Sequence, residues 1–156
     1  MGRGRYPETK DQEKNRAVRL KKEKVSVVVL DTSIIIDHLR LPPGKDTHLK
    51  RAVRSEGKEN LAIAMITVQE LYEGKSTKDT QKEEYFLATI SPLRLLPYTY
   101  EVAQLAGEIA RDLSGPIQLA DAAIAATAIV NGAELFTLDQ NGFRGIKELE
   151  LYDDSK

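Results

Sequence analysis

Two unbroken apolar runs stand out along this chain. Val27-Val28-Val29-Leu30 and Leu61-Ala62-Ile63-Ala64-Met65-Ile66 lack the polar alternation of a half-exposed strand. Such runs predict strands buried on both faces, as in a parallel sheet. A short segment of helical character follows each at once, Thr32 to Leu39 and Thr67 to Tyr72. Leu93-Arg94-Leu95-Leu96, ended by Pro97, predicts a third strand. Glu134-Leu135-Phe136-Thr137-Leu138-Asp139 predicts a fourth, and Leu149-Glu150-Leu151 a weak last one. Further helices are predicted over Lys45 to Glu56, stopped by Gly57, and over Lys75 to Thr89. Glu101 to Leu113 carries Val102, Leu105, Ala106 and Ile109 on one side. Gln118 to Val130 is a small-residue helix closed by Asn131-Gly132. Turn chemistry separates these elements at Leu41-Pro42-Pro43-Gly44 and Gly115-Pro116. The alternation predicts one α/β/α sandwich, with a mainly parallel sheet of four or five strands and helices on both faces.

Composition changes the picture in three ways. First, 156 residues with 30% charged and 41% hydrophobic positions suit one globular domain with a sizeable core. No apolar run approaches the roughly 20 residues of a membrane helix. Residues 1–24 lack the apolar core of a secretory signal. Second, there is no cysteine, which removes disulfides, thiolate zinc sites and cysteine nucleophiles. This fits a cytoplasmic protein. The two histidines, His38 and His48, are too few and too poorly placed for a His-rich metal site. Any divalent ion must then be held by oxygen, which favours Mg²⁺ or Mn²⁺. Third, the net charge of -1 hides an asymmetry. Residues 1–24 hold nine Lys/Arg and four Asp/Glu, a balance of +5. Fourteen Lys/Arg and twenty Asp/Glu follow, a balance of -6. The first 24 residues carry few apolar side chains, so they are expected to form a basic, flexible extension ahead of a domain over residues 25–156. That extension is either a solvated, partly helical segment or an arm that touches nucleic acid. Lys50, Arg54 and Lys58 pose the same choice on a smaller scale, a solvated face or a phosphate-tracking stripe.

Four acids carry the candidate chemistry. Asp31 ends the first strand and is followed by Thr32 and Ser33. Glu70 follows the second strand, Asp139 the fourth, and Asp121 lies near the start of the small-residue helix. Each has a local explanation. Thr67 and Glu70 fit a Thr-x-x-Glu capping box. Asp121 suits the positive end of a helix dipole. Asp139 sits beside the turn-forming Asn141-Gly142. Yet Asp121 shares its helix face with Ile124, Ala125 and Ala128, where a carboxylate needs a compensating partner. A parallel sheet brings strand ends together, and ligands bind at the carboxyl ends of its strands. Four converging carboxylates repel one another, and divalent cations relieve that conflict. Such a site points to phosphodiester hydrolysis.

The motifs Val-Leu-Asp-Thr-Ser, Thr-Val-Gln-Glu-Leu-Tyr-Glu-Gly, Leu-Ala-Asp-Ala-Ala-Ile-Ala-Ala-Thr-Ala and Leu-Phe-Thr-Leu-Asp-Gln-Asn-Gly-Phe resemble those of the PIN-domain nucleases. The branch they most resemble is the VapC-type toxin of prokaryotic toxin–antitoxin pairs. The likeness runs in order over about residues 27 to 152. It implies that Asp31, Glu70, Asp121 and Asp139 are catalytic metal ligands for Mg²⁺ or Mn²⁺. It implies that Thr32 or Ser33, and Thr137, support them. It also implies an endoribonuclease acting on RNA, a homodimer, and a small antitoxin as protein partner. The basic N-terminal segment departs from the compact toxins. It leaves open a PIN-domain nuclease of RNA processing or quality control, or a catalytically silent PIN-like module that binds RNA or protein. A receiver-like signalling domain is a further α/β alternative. It needs a phosphoacceptor aspartate at the third strand, and none stands there.

Overall fold

The computed structural model describes Lys10, Asp11, Lys14 and residues 26–155. The basic segment expected over residues 1–24 lies, apart from those three positions, outside the described residues. Four short strands form one sheet: β1 (Val28–Leu30), β2 (Leu61–Ala64), β3 (Arg94–Leu96) and β4 (Glu134–Phe136). Their order is β3-β2-β1-β4, and every pairing is parallel. The weak last strand reduces to a single parallel bridge between Leu135 and Leu151. Six α-helices lie between residues 26 and 155. They are α1 (Thr32–Arg40), α2 (His48–Glu56), α3 (Met65–Glu73), α4 (Thr80–Ile90), α5 (Tyr100–Asp112) and α6 (Leu119–Val130). The expected α/β/α sandwich is the fold observed.

The strand order dictates where the helices go. The chain steps outward from β1 to β2 to β3, then returns past β1 to reach β4. Parallel crossovers are right-handed, so reversing the direction of travel moves the connecting helices to the other face. The core divides accordingly. Val28, Leu30, Leu61 and Ile63 pack with Ile34 and Ile35 of α1, Leu49 of α2, Leu71 of α3 and Phe86 of α4. Val29, Ala62 and Ala64 turn to the opposite face and meet Ile124, Ala125 and Ala128 of α6. Helix α5 closes over α6 through Val102, Ala106, Ala122 and Ala126. Alanines from β2 and α6 thus face each other, and so few side-chain atoms let the helix lie close to the sheet.

Several boundaries depart from expectation for identifiable reasons. Strand β2 stops at Ala64, and Met65 and Ile66 already belong to α3. Apolar runs do not reveal where extended backbone becomes helical. The helix expected over Lys75 to Thr89 is split. A 3-10 turn covers Lys75–Lys78, and Asp79 then caps α4 by accepting from the Lys82 N–H at 3.0 Å. The basic stripe dissolves into local pairs. Arg54 meets Asp46 at 2.9 Å, and Lys50 Nζ donates to the Lys45 carbonyl at 2.7 Å. Helix α5 buries Val102 and Ala106 and half-buries Leu105 and Ile109, so it leaves little apolar surface uncovered.

The close helix–sheet approach makes a sharp prediction. Ala125 is fully buried where α6 meets the sheet. Ala125→Leu should destabilise the protein by about 1–3 kcal/mol through overpacking. Ala110→Leu, on the exposed side of α5, should stay within about 0.5 kcal/mol of the parent. Urea melts of the two variants check this.

Candidate metal centre

Asp31 is the first residue beyond β1 and caps α1. Its N–H continues the ladder to β4 by donating to the Phe136 carbonyl at 2.8 Å. The residue is 6% exposed, and its carboxylate takes three hydrogen bonds. Oδ1 accepts from the Thr32 N–H at 2.9 Å. Oδ2 accepts from the Ser33 hydroxyl at 2.8 Å and the Thr137 hydroxyl at 2.7 Å. The same two hydroxyls accept from the chain beyond β4. The Leu138 N–H donates to Ser33 at 3.2 Å, and the Asp139 N–H donates to Thr137 at 3.0 Å. A closed ring of hydrogen bonds therefore ties the ends of β1 and β4. These two strands flank the point where the strand order reverses, the usual position of a ligand crevice in an open parallel sheet.

Glu70 enters from α3. Its Oε1 accepts from the Thr32 hydroxyl at 2.6 Å. Thr32 also lies 3.1 Å from the hydroxyl of Thr67, which is completely buried. The expected capping box is absent. Helix α3 begins at Met65, its cap position is Ala64, and that cap makes no side-chain bond. Thr67 lies in the first turn of the helix and Glu70 in the second, and both side chains reach across to Thr32. Thr67 was legible only as a cap, because its role depends on β2 ending two residues early. Burial pushes the Glu70 carboxyl up, the bond from Thr32 holds it down, and the charges of Asp31 and Glu73 push it up again.

Asp121 stands in the first turn of α6, half-buried over the sheet. Its carboxyl is pushed up to about 6, first by burial and then by Asp31, Glu70 and Asp139 in turn. The helix dipole favours the charged form there, so the upward shift shows that desolvation and like charge win. Asp139 is exposed and caps a 3-10 turn over Gln140–Phe143. Its Oδ1 accepts from the Gly142 N–H at 3.2 Å. The turn-forming account of Asp139 thus holds for its backbone and its side chain, while its charge still acts on Asp121. The two histidines lie elsewhere. His38 contacts Thr47 and Tyr85, and His48 contacts Arg51 and Asp154.

The donor set suits a hard cation. Every group is oxygen, and the carboxylates destabilise one another when ionised. Among the described residues no three acidic or histidine side chains already form a ready-made ion-binding cluster. The four carboxylates expected to converge are thus not gathered into one preformed cage.

The raised carboxyl fixes the sign of a stability test. Folding takes up a proton on Asp121 between its ordinary value of 3.8 and about 6. The associated stability is present below that window and is lost as pH rises through about 6. In ion-free buffer the wild type should therefore lose stability over this range, and Asp121→Asn should lose less. At neutral pH the mutant should melt at or above the wild type. Adding Mn²⁺ should raise the wild-type melting temperature, by about 2.7 kcal/mol of stabilisation at a hundredfold excess over Kd. The rise should shrink in Asp121→Asn. Thermal melts across pH, with and without Mn²⁺, decide the matter.

Comparison with known proteins agrees with this geometry. The model of the PIN domain family matches residues 28–149. Among curated proteins none matches the chain. Solved structures do. A chain of the DNA-bound VapBC from Salmonella typhimurium is 25% identical, with a TM-score of 0.73 over 83% of this chain and 98% of that one. A chain of VapBC-1 from nontypeable Haemophilus influenzae is also 25% identical, with a TM-score of 0.67 over 83% and 99%. VapBC-5 from Mycobacterium tuberculosis, a member of the VapBC family of toxin–antitoxin systems, shares the fold at 19% identity and a TM-score of 0.56, over 81% of this chain and 97% of that one. The family match covers most of the chain: this protein belongs to the PIN domain family.

Proposed function

We propose that the chain is a metal-dependent endoribonuclease that hydrolyses RNA phosphodiester bonds, and that it is the toxin of a toxin–antitoxin pair. One observation carries the chemical part. Burial first, and then the charges of Asp31, Glu70 and Asp139 from three separate chain segments, raise the Asp121 carboxyl together. An arrangement that disfavours its own ionisation is costly unless a cation joins it. The family assignment and the VapBC neighbours support the biological part. Mg²⁺ or Mn²⁺ would be held by Asp31, Glu70, Asp121 and Asp139. A bound ion supplies water activation and charge stabilisation at phosphorus.

The chain's own residues have separable tasks. Asp31 is a fixed anchor, because three hydrogen bonds leave its carboxylate one orientation. Thr32 and Thr67 hold Glu70 to the end of β1. Thr137 and Ser33 are positioning residues that lock the segment carrying Asp139. Asp121 is the most perturbed member, its carboxyl pushed up to about 6 by burial and by the neighbouring acids. No imidazole lies among these groups, so proton transfer at the site falls to carboxylates and water. The partners that go with this reading are an RNA substrate, a small antitoxin protein and a second copy of the chain. No helix among the described residues is long and apolar enough to cross a membrane.

Purified protein incubated with labelled structured RNA and Mn²⁺ should cut it at few sites. EDTA should abolish cleavage. Asp121→Asn should lower the rate by about a hundredfold or more with the fold intact, the scale on which a misplaced catalytic group is felt. Undiminished cleavage in EDTA, or full activity in the mutant, rejects the mechanism. Light scattering at high concentration should report a dimer.

A further inference from the structure

We propose that the cleft beside Glu70 is a nucleotide subsite, which holds the stretch of RNA next to the phosphate at the acidic centre. The proposal rests on the nuclease reading and extends it to substrate recognition. The cleft lies between α1, α3, α4 and the 3-10 turn over Lys75–Lys78, with a volume of about 450 Å³. That is within the roughly 300–1,000 Å³ of small-molecule sites. Glu70 lines it and, through Thr32, is bonded to the helix that Asp31 caps. A strand leaving the acids past Glu70 would run along the cleft.

Its lining has the chemistry of a base and a phosphate. Ile36, Leu39 and Phe86 supply apolar surface, and Arg40 and Lys82 supply two cations. Among the described residues neither cation makes an ion pair, whereas Arg51, Arg54 and Arg111 are all engaged by aspartates. Tyr85 adds an aromatic ring that is held but not covered. Its hydroxyl lies 3.1 Å from His38 Nε2, the two rings stack with centroids 5.9 Å apart, and the residue is 42% exposed. His38 is itself fixed by a 2.8 Å bond to Thr47. Aromatic rings beside cations bind single-stranded nucleic acid by stacking and by phosphate attraction. An acidic protein segment would find the same cations, but nothing in it would use a fixed, exposed ring.

Binding of a fluorescent single-stranded RNA oligonucleotide to the full chain in EDTA reads the cleft without cleavage. Arg40→Gln with Lys82→Gln should weaken Kd about tenfold or more. It should also flatten the salt dependence by about 0.7 in the log–log slope for each phosphate no longer neutralised. Tyr85→Ala should weaken Kd by about tenfold with the slope unchanged, and Tyr85→Phe should keep the wild-type affinity. Arg111→Gln, on a paired surface elsewhere, should bind as wild type does. Thermal melts confirm that each variant is folded. Unchanged affinity and slope in the double variant, or an equal loss in Arg111→Gln, overturns the proposal. So does a double variant that keeps RNA affinity while losing affinity for an oligoglutamate peptide, which would assign the cleft to a protein segment. If the wild type cuts RNA and the double variant keeps its KM, the subsite falls and the nuclease reading stands. If RNA binds through Arg40, Lys82 and Tyr85 but is never cut with either ion, the nuclease reading falls and the subsite stands.

Discussion

Asp31 sits where the sheet can least tolerate an unmet charge, and the surrounding chain is arranged to meet it. Its carboxylate is almost buried and takes its three bonds from the first turn of α1 and from Thr137 beyond β4. Charge-assisted bonds of this kind are about twice as strong as neutral ones. Leaving any of the donors unpaired in so dry a place would cost about 1–3 kcal/mol. The ring therefore fixes more than a side chain. It sets the spacing between the ends of β1 and β4, and so places the segment that carries Asp139.

The second constraint is steric. An acid on the helix that covers the sheet influences the strand ends only if the helix lies close. Ala62 and Ala64 on β2 and Ala125 and Ala128 on α6 make that possible, since each brings a single methyl to the contact. The cost falls on electrostatics. Bringing the first turn of α6 down to the strand ends forces Asp121 into partial burial beside three other acids. Packing and repulsion are thus two results of one choice of small residues.

The fold was legible because parallel strands announce themselves. Val27 to Leu30 and Leu61 to Ile66 are apolar without alternation, and each runs straight into a helix. Strand order and face assignment are then restricted by the handedness of crossovers. Boundaries were less legible for a related reason. The apolar run Leu61 to Ile66 does not mark where β2 becomes α3, so Thr67 was legible only as a cap. Its real position, third in α3 rather than at its cap, redirects it and Glu70 toward Thr32 across 35 and 38 residues of sequence. No local pattern contains that contact. Asp139 was legible as a turn residue, and the turn is real, yet its effect on Asp121 arises only from tertiary placement. The cleft beside Glu70 was invisible for the same reason, because Arg40, Lys82 and Tyr85 come from two helices far apart in sequence.

Local explanation and shared function are not rivals at these positions. Asp31 caps α1, Asp139 caps a 3-10 turn, and Asp121 lies in the first turn of α6. Each is a place where backbone N–H groups welcome a carboxylate. Helix starts and turns cluster at the carboxyl ends of parallel strands, because that is where each strand hands the chain to a helix or a loop. A fold of this kind therefore accommodates acids at one edge for local reasons, at little cost to each. Only their summed charge makes the edge unfavourable, and a bound cation would offset that sum. The step from a set of caps to a metal site needs no new structural element. It needs the acids to stand near enough that the protonation of one depends on the others, and Asp121 meets that condition.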